Sequence, residues 1–226
     1  MYSSFGFSIS TTGALPTTDS SAGSLWDVMG ASGAGKSTFL NVLMGKQSNT
    51  GGVTKVNGVA GNIAKSVYKK IIEYVPEDGI VLPELTFREN IQHSARIQLP
   101  CTWSDKEIKN HVDILINYLQ LSHVQDSLVG GTAAPVISGG KRVRIGMELA
   151  AAPMALFLDE PTSRLDARAA ASIMSTLKAL SRLGMTILTI IHLPRQGIFE
   201  FLDSLVLLGS GRMIYCGAQI DMQPHF

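Results

Sequence analysis

The chain has 226 residues, 45% of them apolar and only 16% charged, against the roughly one quarter charged that is usual for soluble domains, so much of its surface must be covered on folding. A formal charge of +1 gives no ground for polyanion binding, and apart from Lys141, Arg142 and Arg144 the cations are scattered, so no nucleic-acid partner is expected. Two cysteines, Cys101 and Cys216, are too few for a disulfide framework and their spacing suits no metal site.

The length accommodates one elaborated domain with a sizeable core. Lys36 is the first basic residue, which argues against a secretory leader and equally against an arginine-rich transit peptide, so the cytosol is the expected compartment. The most apolar runs, 149–158 and 185–193, contain Pro153 or stop at Pro194. Both fall short of the about 20 residues that a membrane helix needs.

Residues 2–24 are rich in Ser, Thr and Gly without helical or strand periodicity, and 1–24 is therefore expected to be a flexible arm preceding a folded domain over 25–226. A short strand over 25–29 comes next, interrupted by Asp27 where a buried parallel strand prefers apolar residues. Gly30 to Thr38 then read GASGAGKST. The glycines let the backbone curl so that successive N–H groups face an anion, Lys36 reaches terminal phosphates, and Ser37 offers a hydroxyl to Mg²⁺ at a helix N-terminus. Gly30, Ser32, Gly33, Ala34, Gly35, Lys36, Ser37 and Thr38 are accordingly the expected phosphate cradle, and the helix behind it should run over 37–44.

Gly51-Gly52 and Asn57-Gly58 read as turns around a strand at Val53–Val56, and 71–75 as a buried strand, together a small β-layer. Thr86 with Glu89, and Ser104 with Glu107, are capping-box pairs opening two helices. In the second, Ile108, Val112, Leu115, Ile116 and Leu119 recur at helical spacing, so an all-helical insert is expected over about 98–152. Within it, Ser138-Gly139-Gly140 should precede a helix over 141–151 and present a hydroxyl and free amides to an anion. Next come a strand over 155–158 ending in Asp159 and Glu160, a helix over 167–183, and strands over 185–191, 204–208 and 213–215. Such alternation implies a parallel sheet, which presents ligand-binding residues at its C-terminal strand ends. Asp159 is placed there to hold Mg²⁺ and Glu160 to activate a water as general base, so ATP with Mg²⁺ is the expected ligand and hydrolysis the expected chemistry.

In this order the phosphate loop, the Ser-Gly-Gly triplet and LFLDEPT at 156–162 resemble the nucleotide-binding domain of ATP-binding-cassette transporters. YVPED at 74–78, LTFRENI at 85–91, LSHVQDSLVG at 121–130, IGMEL at 145–149, DEPTSRLD at 159–166 and IHLPR at 191–195 are similar to the G subfamily, the white-type half-transporters. The resemblance implies a P-loop NTPase α/β core with a mostly parallel sheet flanked by helices, an all-helical signature subdomain and a reduced β-layer. It further implies a head-to-tail pair of such domains at the cytosolic face of a membrane, driving export through a transmembrane domain that this chain lacks. On that pattern Ser138, Gly139 and Gly140 contact the γ-phosphate held by the partner, His192 touches the γ-phosphate as a switch histidine, and 163–166 lie at the dimer seam. For adenine stacking the chain has only Tyr2, Phe5 and Phe7 upstream as substitutes for the family's aromatic residue.

Four departures accompany the resemblance. The triplet runs directly into Lys141-Arg142-Val143, two residues short of the family pattern, and removing two residues from a helix turns its remainder by about 200° and shortens it by about 3 Å. Glu77 stands where the family has a glutamine that helps to bind Mg²⁺ and links to the membrane domain. Arg164 replaces a glycine at the seam, and Leu193 a glutamine after His192. These leave open a second reading, a regulatory or degenerate subunit that binds nucleotide and hydrolyses it weakly. A third, a soluble cassette ATPase acting on ribosomes or chromosomes, lacks the usual tandem cassettes or coiled coil.

Overall fold

Short apolar runs separated by helical segments give the sheet its strands. The computed structural model describes residues 7–10, 18–19, 23–47, 53–56, 59–60, 71–130, 136–192 and 196–222. In chain order the elements are β1 (Phe7–Ser10), β2 (Thr18–Asp19), β3 (Leu25–Gly30), α1 (Lys36–Leu43), β4 (Val53–Val56), β5 (Val59–Ala60), β6 (Ile72–Val75), α2 (Phe87–Gln98), α3 (Asp105–Tyr118) and α4 (Val136–Leu149). They continue as β7 (Ala155–Asp159), α5 (Ala167–Arg182), β8 (Thr186–Ile190), α6 (Gln196–Phe199), β9 (Ser204–Gly209) and β10 (Arg212–Ala218). The main sheet has six strands in the order β10-β9-β3-β8-β7-β6, parallel throughout except for β10, which returns antiparallel to β9.

Alternate residues of the central strands feed two cores. Leu25 and Met29 of β3, Leu156 and Leu158 of β7 and Ile187 of β8 face the helical side with α2 to α5. Trp26 and Val28, Ala155 and Phe157, and Leu188 and Ile190 face the side covered by α1 through Leu40 and Leu43. Burial on both faces explains why these strands read as continuous apolar runs rather than alternating ones. Each fully buried aliphatic side chain contributes about 1.5–3 kcal/mol of transfer free energy.

The helical unit comprises α2, α3 and α4, so it begins at Phe87, earlier than the expected boundary near 98. Both capping boxes form. Thr86 Oγ1 accepts from the Glu89 N–H at 3.1 Å while Glu89 Oε2 accepts from the Thr86 N–H at 2.8 Å, and Ser104 with Glu107 repeats the exchange. Arg88 ties α2 to α3 through Asp113 at 2.6 Å. Gly146 lets α4 cross close to its neighbours, because a Cβ there would lie 2.7 Å from Ile91 Cδ1 and 2.8 Å from Leu119 Cδ1.

The structure corrects four expectations. Phe7–Ser10 and Thr18–Asp19, expected in a flexible arm, are strands of a second sheet ordered β2-β1-β4-β5, with Phe7 opposite Val56 and Ser10 opposite Val53. The alternation Phe-Ser-Ile-Ser was the available signal, too short to stand out from a polar segment. Ile72–Val75, expected in that β-layer, instead closes the main sheet beside β7. Asp27 does not break its strand, because β3 runs unbroken over six residues with Asp27 fully buried. Lastly, Ser138, Gly139 and Gly140 are the third to fifth residues of α4, which starts at Val136, rather than lying ahead of the helix. The triplet is wound into helix, with Gly139 so close to the Phe87 ring that a Cβ would stand 2.9 Å from Cε1. The Gly51-Gly52 and Asn57-Gly58 turns, Tyr2, Phe5 and Leu193 lie outside the described residues.

Candidate functional site

The loop between β3 and α1 is held open by glycines in conformations closed to other residues. Gly30, Gly33 and Gly35 have φ of 152°, 78° and 99°. Gly30 has a second constraint, since a Cβ there would stand 2.4 Å from the Leu208 carbonyl oxygen of β9. Gly30→Ala is therefore expected to lower stability by on the order of 2–3 kcal/mol and to displace the loop. Urea denaturation read beside nucleotide titration checks this, and an unchanged midpoint would show that β9 can retreat. Gly35 caps α1 without a side-chain bond, so the first-turn amides are left to whatever enters the loop.

Lys36 opens α1 and is 6% exposed, its Nζ donating to the carbonyls of Gly30 at 2.8 Å and Ala31 at 3.2 Å. The loop faces a chamber of about 620 Å³ whose lining includes Ser32, Gly33, Gly35, Lys36, Ser37 and Thr38 on one side. Glu77, Asp159, Glu160, Ser163, Ile190 and His192 complete it. Ten of the expected site residues, contributed by four separate stretches of sequence, thus meet in one place. Gly30 and Ala34 stand behind the chamber as its scaffold. Ser138, Gly139 and Gly140 do not line it.

Asp159 ends β7, where β6 lies alongside with Tyr74 in register with Phe157, and the Tyr74 hydroxyl donates to Asp159 Oδ2 at 3.2 Å. Burial, with the Asp159 charge adding to it, pushes the Tyr74 phenol up to about 12, so it stays a donor throughout the physiological range. Sequence reasoning misses Tyr74 because its tie to Asp159 depends on which strand becomes the neighbour of β7.

Glu160 comes next with φ of 49°, a left-handed conformation that costs a non-glycine residue about 1 kcal/mol or more. Its N–H donates to the Ile190 carbonyl at 3.0 Å. Its Oε1 is buried, without a hydrogen-bond partner among the described residues, and lies 3.5 Å from His192 Nε2; the His192 backbone N–H reaches Oε2 at 3.4 Å. Burial raises the Glu160 carboxyl above the ordinary range, His192 opposes the rise, and Asp159 and Glu77 add to it. The product is a poorly solvated, loosely held carboxylate opposite a phosphate loop.

Those features fit a magnesium nucleotide: a loop whose glycines at positive φ turn its amides inward, a hydroxyl and two carboxylates for a hard cation, and a third carboxylate whose Oε1 has no hydrogen-bond partner among the described residues. Fold and site together define a P-loop nucleotide-binding domain.

Known proteins agree. The ABC transporter family pattern matches residues 17–163. An ABC-type transporter of Penicillium crustosum, claG, is 44% identical over 87% of this chain and 26% of its own length. The mouse broad substrate specificity ATP-binding cassette transporter ABCG2 is 41% identical over 84% of the chain and 29% of its own, and Arabidopsis thaliana ABC transporter G family member 28 is 41% identical over 91% and 19%. The chain therefore belongs to the ATP-binding-cassette transporter family, as a nucleotide-binding domain of the G-subfamily type, and spans under a third of the length of these relatives.

Among solved structures, cbiO1 of Clostridium perfringens, part of an ABC transporter complex, superposes with a TM-score of 0.84 at 19% identity, covering 98% of this chain and 92% of that one. An ATP-binding cassette in its ADP conformation gives 0.77 at 21% identity, covering 96% and 92%. At such identities the likeness establishes the fold. Among the described residues no helix is long and apolar enough to cross a membrane.

Proposed function

We propose that this chain binds Mg-ATP in the chamber and hydrolyses it, as the nucleotide-binding domain of a G-type exporter that acts at the cytosolic face of a membrane. The observation that carries this is the meeting of Lys36, Ser37, Asp159, Glu160 and His192 around one opening. In this reading the amides of 30–38 and the Lys36 ammonium bind the phosphates, while Ser37, Asp159 and Glu77 are the residues that would hold Mg²⁺. The metal supplies charge neutralisation of the β- and γ-phosphates. Glu160 takes the proton of the attacking water, and its displacement from bulk solvent suits it to that task. His192, 3.5 Å from Glu160, is assigned to touch the γ-phosphate as the switch histidine.

Ser138, Gly139 and Gly140 are assigned to the γ-phosphate of a second nucleotide-binding domain, in a head-to-tail pair with 163–166 at the seam. Because α4 begins at Val136, only the Ser138 N–H of the triplet falls among the first-turn amides that lack an intrahelical acceptor, so Ser138 carries the signature role. The membrane partner is a transmembrane domain of the kind that nucleotide-binding domains of this family work with.

Calorimetry with ATP and Mg²⁺ tests the reading at its base. Wild-type protein is expected to take up ATP, and Lys36→Ala to weaken uptake by at least tenfold, about 1.4 kcal/mol. Absence of adenine nucleotide binding by folded wild-type protein would overturn the assignment, and equal affinity in the variant would remove Lys36 from the site.

A further inference from the structure

Three residues at which the chain departs from its family's pattern, Glu77, Lys141 and Arg164, come from segments far apart in sequence and converge at the loop that follows Glu160. Lys141, 6% exposed, donates from Nζ to the main-chain carbonyl of Glu160 at 2.7 Å and to Ser163 Oγ at 2.6 Å. Ser163 Oγ donates onward to Glu77 Oε1 at 3.0 Å. Arg144, one turn further along α4, donates to the main-chain carbonyl of Glu77. Arg164 lies 3.8 Å from Glu77 Oε1 and 3.7 Å from Asp78 Oδ1. Three cations thus face Glu77, Asp78 and the Glu160 loop.

The loop needs such fastening, because Glu160 and Arg164 both sit at positive φ, 49° and 60°. A strained turn of this kind keeps its shape only where its surroundings determine it. The Glu160 N–H is fixed on one side by the Ile190 carbonyl at 3.0 Å, and the Glu160 carbonyl on the other by Lys141 at 2.7 Å. Fixing both peptide planes fixes the direction of the Cα–Cβ bond between them, and with it the root from which the carboxylate reaches into the chamber. A buried ammonium in turn needs a counter-charge. The carboxylate at 77, reached through Ser163, provides one where the family's glutamine would not.

We propose that Lys141 is the positioning residue of Glu160, an intramolecular strut by which α4 holds the hydrolytic carboxylate in its firing direction, with Ser163 and Glu77 as its relay and counter-ion. The departures at 77, 141 and 164 then act as one compensating set, and α4, which carries Ser138 to Gly140, is mechanically joined to Glu160 within the same chain. The inference rests on the hydrolytic reading above.

Its test compares ATP affinity with single-turnover phosphate release for the wild-type chain, Lys141→Met, Lys141→Arg, Ser163→Ala and the Lys141→Met/Ser163→Ala double variant. Lys141→Met is expected to release phosphate at least tenfold more slowly with an ATP dissociation constant within threefold of wild type. Lys141→Arg should recover at least a third of the wild-type rate, and the double variant should be no more than twofold slower than Lys141→Met. A wild-type rate in Lys141→Met, an equal loss in Lys141→Arg, or loss of ATP uptake in step with rate overturns the strut. Should Lys141→Met lack a cooperative thermal transition, Ser163→Ala decides alone: a rate at least threefold lower at unchanged affinity supports the strut, and an unchanged rate overturns it. Wild-type protein that binds ATP yet releases no phosphate brings down the hydrolytic reading and the strut together, whereas turnover indifferent to Lys141 brings down only the strut.

Discussion

Glutamine in place of Glu160 is expected to slow single-turnover phosphate release by about 10²–10⁴-fold while leaving the ATP dissociation constant within about threefold. The amide keeps the size of the carboxyl but cannot accept a proton from water. Little structural cost should accompany the exchange, because Oε1 has no hydrogen-bond partner among the described residues and the His192 N–H contact to Oε2 is long, 3.4 Å. Burial, the largest influence on Glu160, raises its pKa, so the wild-type rate should fall as pH drops through that raised value and the base becomes protonated. In the variant this acid limb should vanish. Quenched-flow phosphate release between pH 5 and 8 reads both effects, and an unchanged rate would mean that the water is activated elsewhere.

Asp27→Ala carries the largest expected effect on stability. Asp27 lies at the centre of β3, fully buried, with Oδ2 unpartnered among the described residues and Oδ1 2.7 Å from Thr189 Oγ1. Burial, opposed by the Thr189 bond and reinforced by the Glu160 charge, pushes its carboxyl up from 3.8 to about 8. Below about pH 4 folded and unfolded chains both hold this proton. Between about 4 and 8 the unfolded chain releases it and the folded one retains it, so stability falls by about 1.4 kcal/mol per pH unit until the folded carboxyl also ionises. Alanine removes that slope. The variant should gain on the order of 4 kcal/mol at neutral pH, less about 1 kcal/mol for the small void, and below pH 4 only that cost of about 1 kcal/mol should remain.

Thr189 keeps an acceptor in the variant, the Trp26 carbonyl at 3.0 Å. Glu73, raised to about 7 chiefly by burial, lies in the same pH window but is common to both proteins, so the difference between their urea midpoints at several pH values isolates Asp27. Equal midpoints at pH 7 would mean that water reaches the carboxylate.

What the residues disclose in advance is local in origin. The phosphate loop, the capping boxes at Thr86 and Ser104 and the acidic end of β7 each lie within a few consecutive residues whose types have one physical use, and each forms as read. What stays hidden depends on pairing across distance. Whether Phe7–Ser10 is a strand is decided by β4, some 45 positions away, since four residues with two serines cannot commit alone. The start of α4 escapes a reading of the residues because glycines usually stop helices, whereas here tight packing of Gly139 on Phe87 outweighs propensity. Glu77, Lys141 and Arg164 each look like damage when taken singly. Only the fold shows them as mutual partners, because the lysine reaches Ser163 from 22 residues away and Ser163 reaches Glu77 from 86.

The outermost hairpin gives the phosphate loop a splint. The turn between β9 and β10 sends the Gly211 N–H to the Ala34 carbonyl at 3.2 Å, and β9 itself presents the Leu208 oxygen against Gly30. Residues 204–218 contribute nothing to the chamber wall, yet they brace both ends of the cradle from the rim of the sheet. A version of the chain cut short before Ser204 would keep every residue that lines the chamber and lose both of these contacts to the loop.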